Sequence, residues 1–184
     1  MITMFVTALA ASAQAASFGA GGLWQGRAWL PNTPLTWRGD TTLEAPGLVR
    51  CVGGNVAAGA DFHRVAGGEV ALCGDERARL GYGGLTLGLN FDLGPIYASA
   101  RSGFGAGWMG LPYRGTIDET FFVYARPVGA LGVPVKGVAL EVGLGANLPV
   151  VVAHEDYRER LRGFPHLMTH LSLQFGSFAG RHED

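Results

Sequence analysis

The sequence predicts an all-β protein, folded as an antiparallel up-and-down barrel of about eight transmembrane strands. Apolar residues recur at every second position in its clearest segments, Val138 to Leu148 and Leu167 to Phe175, which is the period of a β-strand. These segments reach about ten residues, whereas strands of soluble sheets usually have about 5–6. A strand that crosses a membrane needs about 9–11 residues, so the length favours a membrane barrel.

The composition supports the same class. The chain has 184 residues, which is the size of one domain. Charged residues make up 16%, below the roughly 25% of soluble domains, and a barrel whose outer face meets lipid needs less polar surface. The net charge is −1 and no basic cluster is present, so we expect no nucleic-acid partner.

The first residues resemble an export signal. The apolar stretch Met4 to Ala11 is followed by Ala13-Gln14-Ala15, which has the small-residue pattern of a cleavage site. No Lys or Arg follows Met1, and the alternative interpretation is an ordinary apolar first strand or helix. We expect a signal over residues 1–16, a barrel domain over residues 17–178 and a polar tail over residues 179–184.

The N-terminal half alternates less regularly than the rest. After a first strand from Ser17 to Leu30, the pattern predicts strands over Leu35–Cys51 and Asn55–Arg64, with turns at Gly53-Gly54 and Gly67-Gly68. Paired glycines of this kind suit tight turns.

In the C-terminal half the alternation is clear. Leu80 and Tyr82 are out of phase with the next strand, which predicts a β-bulge at Gly83-Gly84. Short turns are predicted at Asp92–Pro95 and Gly129–Pro134, on the same side as the turn at Gly53-Gly54. The predicted strands are Leu85–Phe91, Ile96–Trp108, Ile117–Ala125, Val138–Leu148 and Phe164–Phe178.

The chain resembles the small eight-stranded outer-membrane β-barrels of Gram-negative-type bacteria. The likeness rests on strand length, alternation, short turns opposite longer loops, and a last strand reading Leu167-x-x-x-Leu171-x-Leu173-x-Phe175-x-x-Phe178. It implies a location in the outer membrane, contact with outer-membrane lipid, and recognition of the last strand by the barrel-assembly machinery. The final aromatic is followed by six further residues, so the terminal-Phe rule of these proteins is met loosely. We expect a monomer without a cofactor.

Polar side chains on the inward faces predict a packed interior network. An eight-stranded barrel has room for little beyond side chains, and buried charges must pair. We therefore expect no open pore, and a ligand or proton path is the alternative. The predicted members are Arg101, Asp118, Tyr124, Arg126, Glu141, Asn147 and Gln174.

The catalytic candidates are His170 and Ser172, with Glu141 to orient the imidazole. Residues two apart on a strand share a face, and a base beside a hydroxyl is a nucleophile pattern. Outer-membrane lipid A deacylases resemble this chain in size and architecture and use a His-x-Ser pair with a Glu. The strand's phase, however, turns both side chains inward, away from lipid. His166 and His170 would lie about 13 Å apart on a strand, so we expect no metal site.

Cys51 and Cys73 are the two cysteines of the chain. An even pair in an exported protein suggests a disulfide. The predicted strands place Cys51 near the periplasmic end and Cys73 near the outer end, a distance that no disulfide spans. Either the thiols are unpaired, or the strands between Leu35 and Gly74 are misplaced and the pair bridges an outer-loop excursion.

The sequence favours a structural or surface-interaction role, carried by the charged loops Gly74–Arg79 and His154–Gly163. The alternatives are a lipid-modifying enzyme in the same barrel and a secreted soluble β-barrel that binds an apolar ligand inside. In the soluble barrel, the residues that face inward and those that face outward would be exchanged relative to the membrane barrel. It would place Leu140, Leu144, Leu171 and Leu173 inside and Arg101, Glu141 and Gln174 outside.

Overall fold

The computed structural model describes residues 18–29, 34–37, 41–44, 47–74, 79–113, 116–152 and 166–178. Eight of its strands form a closed antiparallel barrel, which confirms the predicted fold class. The strands are β1 (Phe18–Trp29), β2 (Pro34–Trp37), β3 (Thr41–Glu44), β4 (Leu48–Gly59), β5 (Arg64–Gly74), β6 (Arg79–Asp92), β7 (Tyr97–Tyr113), β8 (Thr116–Val135), β9 (Val138–Val152) and β10 (His166–Gly176). The expected export signal, the C-terminal tail and the segments 75–78 and 153–165 lie outside the described residues.

Each barrel strand pairs with its neighbours along the chain, and β1 closes the ring by pairing with both β10 and β4. The strands β2 and β3 form a separate two-stranded sheet in the connection between β1 and β4. We call the end that holds the connections 60–63, 93–96 and 136–137 the short-turn end, and the opposite end the loop end.

The turn from β8 to β9 consists of Lys136 and Gly137, both of which have positive φ (48° and 85°). Two such residues make the tight hairpin turn whose twist matches that of the flanking strands. The predicted turn at Gly129–Pro134 is therefore wrong, because this segment continues β8 and pairs with β7 and β9. The predicted turn at Asp92–Pro95 agrees with the connection between β6 and β7.

The predicted turns at Gly53-Gly54 and Gly67-Gly68 are also wrong. All four glycines lie inside β4 and β5, which are joined by residues 60–63. Asp61 stabilises this turn, since its Oδ1 accepts a hydrogen bond from the backbone N–H of Arg64 at 2.8 Å. Gly53 is needed for packing instead, because a Cβ at this position would collide with the indole of Trp24.

The strands predicted over Leu35–Cys51 and Asn55–Arg64 are replaced by the hairpin of β2 and β3 and by one long strand, β4. The bulge predicted at Gly83-Gly84 is absent, as β6 pairs in regular register with β5 and β7. Leu80 and Tyr82 lie out of phase with Leu85 because they face the barrel interior. The apolar positions of β6 therefore change phase because its inward-facing residues become apolar toward the loop end. The backbone of β6 keeps its regular pairing throughout.

Candidate functional site: the barrel interior

The interior has an apolar cluster toward each end, and its buried ion pairs lie between the two clusters. At the short-turn end a cluster of buried side chains closes the barrel, with the ring of Phe178 packed against it. This cluster contains Phe18, Phe62, Val65, Tyr97 and Ala139. A second buried cluster fills the loop half, and it includes Ala28, Val49, Cys51, Cys73, Leu80, Met109, Phe122 and Met168.

The polar layer nearer the loop end is built around an ion pair between Glu69 on β5 and Arg126 on β8. Arg126 also donates to the hydroxyl of Tyr82 at 2.8 Å, and Tyr124 donates to Glu69 Oε1 at 3.3 Å. The guanidinium lies 5.9 Å from the ring centroid of Trp24 and 5.3 Å from that of Tyr82. Both charges are therefore held by charge-assisted hydrogen bonds and aromatic faces, as buried charges require.

The polar layer nearer the short-turn end is built around Glu141 on β9, which is fully buried. Arg101 on β7 binds it with two hydrogen bonds, of 3.2 Å to Oε1 and 2.6 Å to Oε2. Tyr97 donates to Oε2 at 3.1 Å, and His170 Nε2 lies 3.8 Å from Oε1. The two-pronged contact matches the planar fork of a guanidinium to a carboxylate.

A chain of uncharged polar groups lies beside these layers. Gln174 donates hydrogen bonds of 3.0 Å to both Asn55 Oδ1 and Ser172 Oγ. Asn147 is buried, and its amide has no hydrogen-bond partner within the described ranges. Asp118 lies on β8 by its backbone, while its side chain is outside what the structure describes.

The interior is nearly filled. Between the two charged layers lies a cavity of about 30 Å³, lined by Trp24 and by members of both layers and of the amide chain. One enclosed water needs about 10–15 Å³, so the cavity has the volume of two or three. It has no room for a lipid acyl chain or a column of hydrated ions.

The three catalytic candidates come together in this interior. His170 lies between Glu141 and the ring of Trp24, whose centroid is 5.7 Å from that of the imidazole. Ser172 is buried and accepts its hydrogen bond from Gln174. The inward phase predicted for both side chains is what the structure shows. In the part of the chain that is described, no group of three His, Cys, Asp or Glu residues is placed to hold a metal ion.

Sequence reasoning missed four members of the interior network, Asn55, Glu69, Tyr82 and Tyr97. Asn55 and Glu69 were lost with the misplaced strands around Gly53 and Gly67. The signal that finds Glu69 is its shared phase with Ala71 and Cys73 on β5, all three of which are buried. Tyr82 was assigned to a bulged segment, although it shares its phase with Asn90, a buried residue of β6.

The structure joins Cys51 and Cys73 in a disulfide between directly paired positions of β4 and β5. The conflict in the sequence analysis disappears because the strands between Leu35 and Gly74 were misplaced. The expected outer-loop excursion is wrong, since both cysteines lie in barrel strands and the barrel keeps eight of them. The bridge crosses the interior face at the loop end, within the apolar cluster.

Comparisons with known proteins show likeness at the level of the fold. No protein-family profile matches the chain, and no curated protein matches it in sequence. Across the ranges described, no helix is long and apolar enough to cross a membrane.

Three solved structures align with most of the chain. The N-terminal β-barrel domain of Pseudomonas aeruginosa OprF aligns with 86% of this chain and 97% of its own, with a TM-score of 0.61 and 9% identity. Neisserial surface protein A (NspA) covers 86% and 96%, with a TM-score of 0.56 and 8% identity. Ail, the attachment invasion locus protein of Yersinia pestis, covers 87% and 97%, with a TM-score of 0.54 and 12% identity.

Proposed function

Because the chain has the fold of the small eight-stranded outer-membrane β-barrels, we propose that it resides in the bacterial outer membrane as a closed anchor. In this proposal the barrel has no open pore, and the segments at the loop end make contacts at the cell surface. Outer-membrane lipid surrounds the strands, and the barrel-assembly machinery reads the last strand.

The observation that carries the membrane location is the direction of the two faces. Leu140 and Leu171 are 50% and 42% exposed on the outside, whereas Glu141 and Gln174 are 0% and 4% exposed inside. Leu144 and Leu173 also face outward. This is the reverse of the arrangement that a soluble barrel needs. Water-exposed apolar patches of this extent are rare on soluble monomers, whereas a lipid-facing band requires them.

The filled interior supports an anchor rather than a channel. Each charged layer contains an ion pair between strands that are not neighbours in the sheet, β5 with β8 and β7 with β9. An ion that crossed the barrel would have to displace these pairs and pass the aromatic cluster at the short-turn end. Neutral or charged solutes that need more space than the 30 Å³ cavity are excluded by size.

The surface role is supported by position and by the names of two structural neighbours. The longer connections, which include the charged segment His154–Gly163, emerge at the loop end. One neighbour is called a surface protein and another an attachment invasion locus protein, which was also solved with the heparin analogue sucrose octasulfate. We extend a role in attachment at the cell surface to this chain, and we assign it to the segments at the loop end.

Fractionation of cells that express the protein, followed by gel mobility and planar-bilayer recordings on the purified barrel, tests the proposal. We expect recovery in the outer-membrane fraction with a heat-dependent shift in gel mobility, and no stable conductance steps in planar bilayers. Recovery in the soluble fraction without a mobility shift would contradict the membrane location. Steady ohmic steps from protein with a normal mobility shift would contradict the closed barrel and leave the location intact.

A lipid-modifying enzyme is the second candidate, favoured by the contact between His170 and Glu141. The interior position of Ser172 argues against it, because an acyl chain in the outer leaflet cannot reach a side chain enclosed by the strands. We expect that Ser172→Ala leaves any deacylase activity of the preparation unchanged. Loss of activity in this variant, with a normal mobility shift, would establish the enzyme.

A further inference from the structure

Three arginines lie in one row across the outer surface of the barrel near the loop end. Arg27 on β1 pairs directly with Arg50 on β4, Arg50 pairs with Gly74 on β5, and Gly74 pairs with Arg79 on β6. All three arginines are exposed, and the residue next to each on its strand, Ala28, Val49 or Leu80, is buried inside. We call Arg27, Arg50 and Arg79 the arginine row.

The arginine row concentrates like charge. Adjacent strands are about 4.8 Å apart, so Arg27 and Arg50 are immediate neighbours, and Arg79 lies about 10 Å beyond Arg50. Like charges directly opposite each other destabilise a strand pair. In the described part of the chain no acidic side chain forms an ion pair with any of them. The row continues through Gly110 to Glu119, whose side chain lies outside the description.

The opposite rim of the barrel lacks this bias. At the short-turn end the exposed charges of the turns are of both signs, with Asp61 and Arg64 at one turn and Lys136 at another. Among the described residues, the loop-end rim of β1, β4 and β6 therefore carries an excess of positive charge that the short-turn end does not share; Asp75 and Glu76, in the connection between β5 and β6, lie outside the description.

Apolar side chains are exposed directly below the arginine row. One outward position closer to the short-turn end, Val52 and Leu72 are exposed on β4 and β5. Leu23 and Val70 follow one further position down their strands. Trp29 and Leu48, which pair with each other one outward position closer to the loop end, are also exposed. The row therefore lies within the loop-end margin of the apolar surface that the proposed function places in lipid. A ligand that fits both parts has an anionic group above and hydrocarbon below.

We propose that the arginine row binds the phosphate groups of an anionic membrane lipid whose acyl chains lie on the apolar band beneath it. This inference rests on the proposed membrane location. Arginine suits phosphate because its planar fork donates two parallel hydrogen bonds. Gly74, which has no side chain, lies between Arg50 and Arg79 in the row. A bound phosphate also removes the repulsion between Arg27 and Arg50.

The test uses the full-length barrel, refolded in phosphatidylcholine vesicles and transferred to detergent for native mass spectrometry. The probes are lipid A, which carries two phosphates, and the same glycolipid after removal of both phosphates. The variants are the triple substitution R27Q/R50Q/R79Q and the control R64Q, which removes one exposed arginine from the opposite rim. Heat-dependent gel mobility shows that each variant is folded.

We expect wild type and R64Q to bind lipid A with equal affinity. The triple variant should bind it on the order of 100-fold more weakly, since each arginine near an anionic surface contributes about fivefold. Binding of lipid A to wild type should weaken with salt, and the dephosphorylated lipid should bind wild type as weakly as the triple variant binds lipid A.

Equal binding of lipid A by the folded triple variant would overturn the inference while leaving the membrane barrel intact. Displacement of lipid A by equimolar inorganic phosphate or sucrose octasulfate would also overturn it, because the row would then be a site for soluble anions. Failure of wild type to insert into the vesicles would overturn both proposals.

Discussion

Removing the carboxylate of Glu69 should destabilise the barrel more than any exposed charge change. The substitution Glu69→Gln keeps the shape of the side chain but leaves the guanidinium of Arg126 without its counter-ion. Arg126 is 6% exposed and Glu69 is 5% exposed, so water cannot replace the lost partner. Breaking a buried pair in this way costs about 3–5 kcal/mol.

Part of this cost is offset by contacts that Arg126 retains. The hydroxyl of Tyr82 still accepts its hydrogen bond at 2.8 Å, and the rings of Trp24 and Tyr82 still face the cation. A cation over an aromatic face contributes roughly 0.5–2 kcal/mol, and these contacts mean that the buried guanidinium does not lose every favourable partner when Glu69 is replaced. We therefore expect a loss of about 3 kcal/mol, at the lower end of the range.

The double substitution Glu69→Gln with Arg126→Met removes both charges and keeps the volume. Replacement of a buried ion pair by apolar groups is often close to neutral, so the double variant should be more stable than Glu69→Gln alone. The assay is urea-induced unfolding from lipid vesicles, followed by tryptophan emission and by gel mobility. The control Arg64→Gln, at an exposed turn, should change stability by less than about 0.5 kcal/mol.

Two results would refute this reasoning. A loss below about 1 kcal/mol for Glu69→Gln would mean that Arg126 is hydrated or finds another partner. A double variant whose loss equals the sum of its two single losses would mean that the two side chains are not energetically coupled.

Three further predictions use the same unfolding assay. Replacing both Cys51 and Cys73 by Ser should cost about 3 kcal/mol, from the chain entropy of a loop with a sequence separation of 22, and reduction of wild type should give the same loss. Leu171→Arg should cost about 2–4 kcal/mol in a bilayer, whereas an unchanged stability would contradict a lipid-facing position. Gly143→Ala should cost about 1–3 kcal/mol because its methyl group would collide with the ring of His170; the matched Gly129→Ala, with no atom within 4 Å, should be neutral.

The C-terminal half of the fold was predictable because its two faces differ in polarity. On β9 and β10, apolar residues such as Leu140 and Leu173 face out, while Glu141 and Gln174 face in. Period-two alternation then appears directly in the residue types. The long strands and the closing position of β10 follow from this contrast.

The N-terminal half was not predictable in the same way because the contrast fades. Near the loop end the interior is itself apolar, with Val49, Cys51 and Ala71 buried inside. Glycines occupy outward positions on the same strands, Gly54 on β4 and Gly68 on β5. The polarity of a residue then no longer shows whether it faces the interior or the outer surface. Glycine pairs inside these strands also have the sequence pattern that is typical of a tight turn.

The candidate site shows the same division. The structure brings Arg101 and Glu141 together, and the regular phase of β7 and β9 predicts from sequence that both side chains point inward. Arg126 was placed inside without its partner, since Glu69 follows directly after the glycine pair that was taken for a turn. Which carboxylate meets which guanidinium depends on the register across the ring, and single-strand patterns do not contain that register.

Because β1 pairs with β10, every strand of the barrel has a paired neighbour on both sides, including the first and last strands of the chain. The rings of Phe18 and Phe178 lie 6.0 Å apart by their centroids, so the two ends of the described chain meet at the short-turn end. A short peptide that joined them would add one more hairpin to three that exist already. New ends opened within residues 93–96 would leave every strand pair in place, and such a rearranged gene product should close into the same barrel.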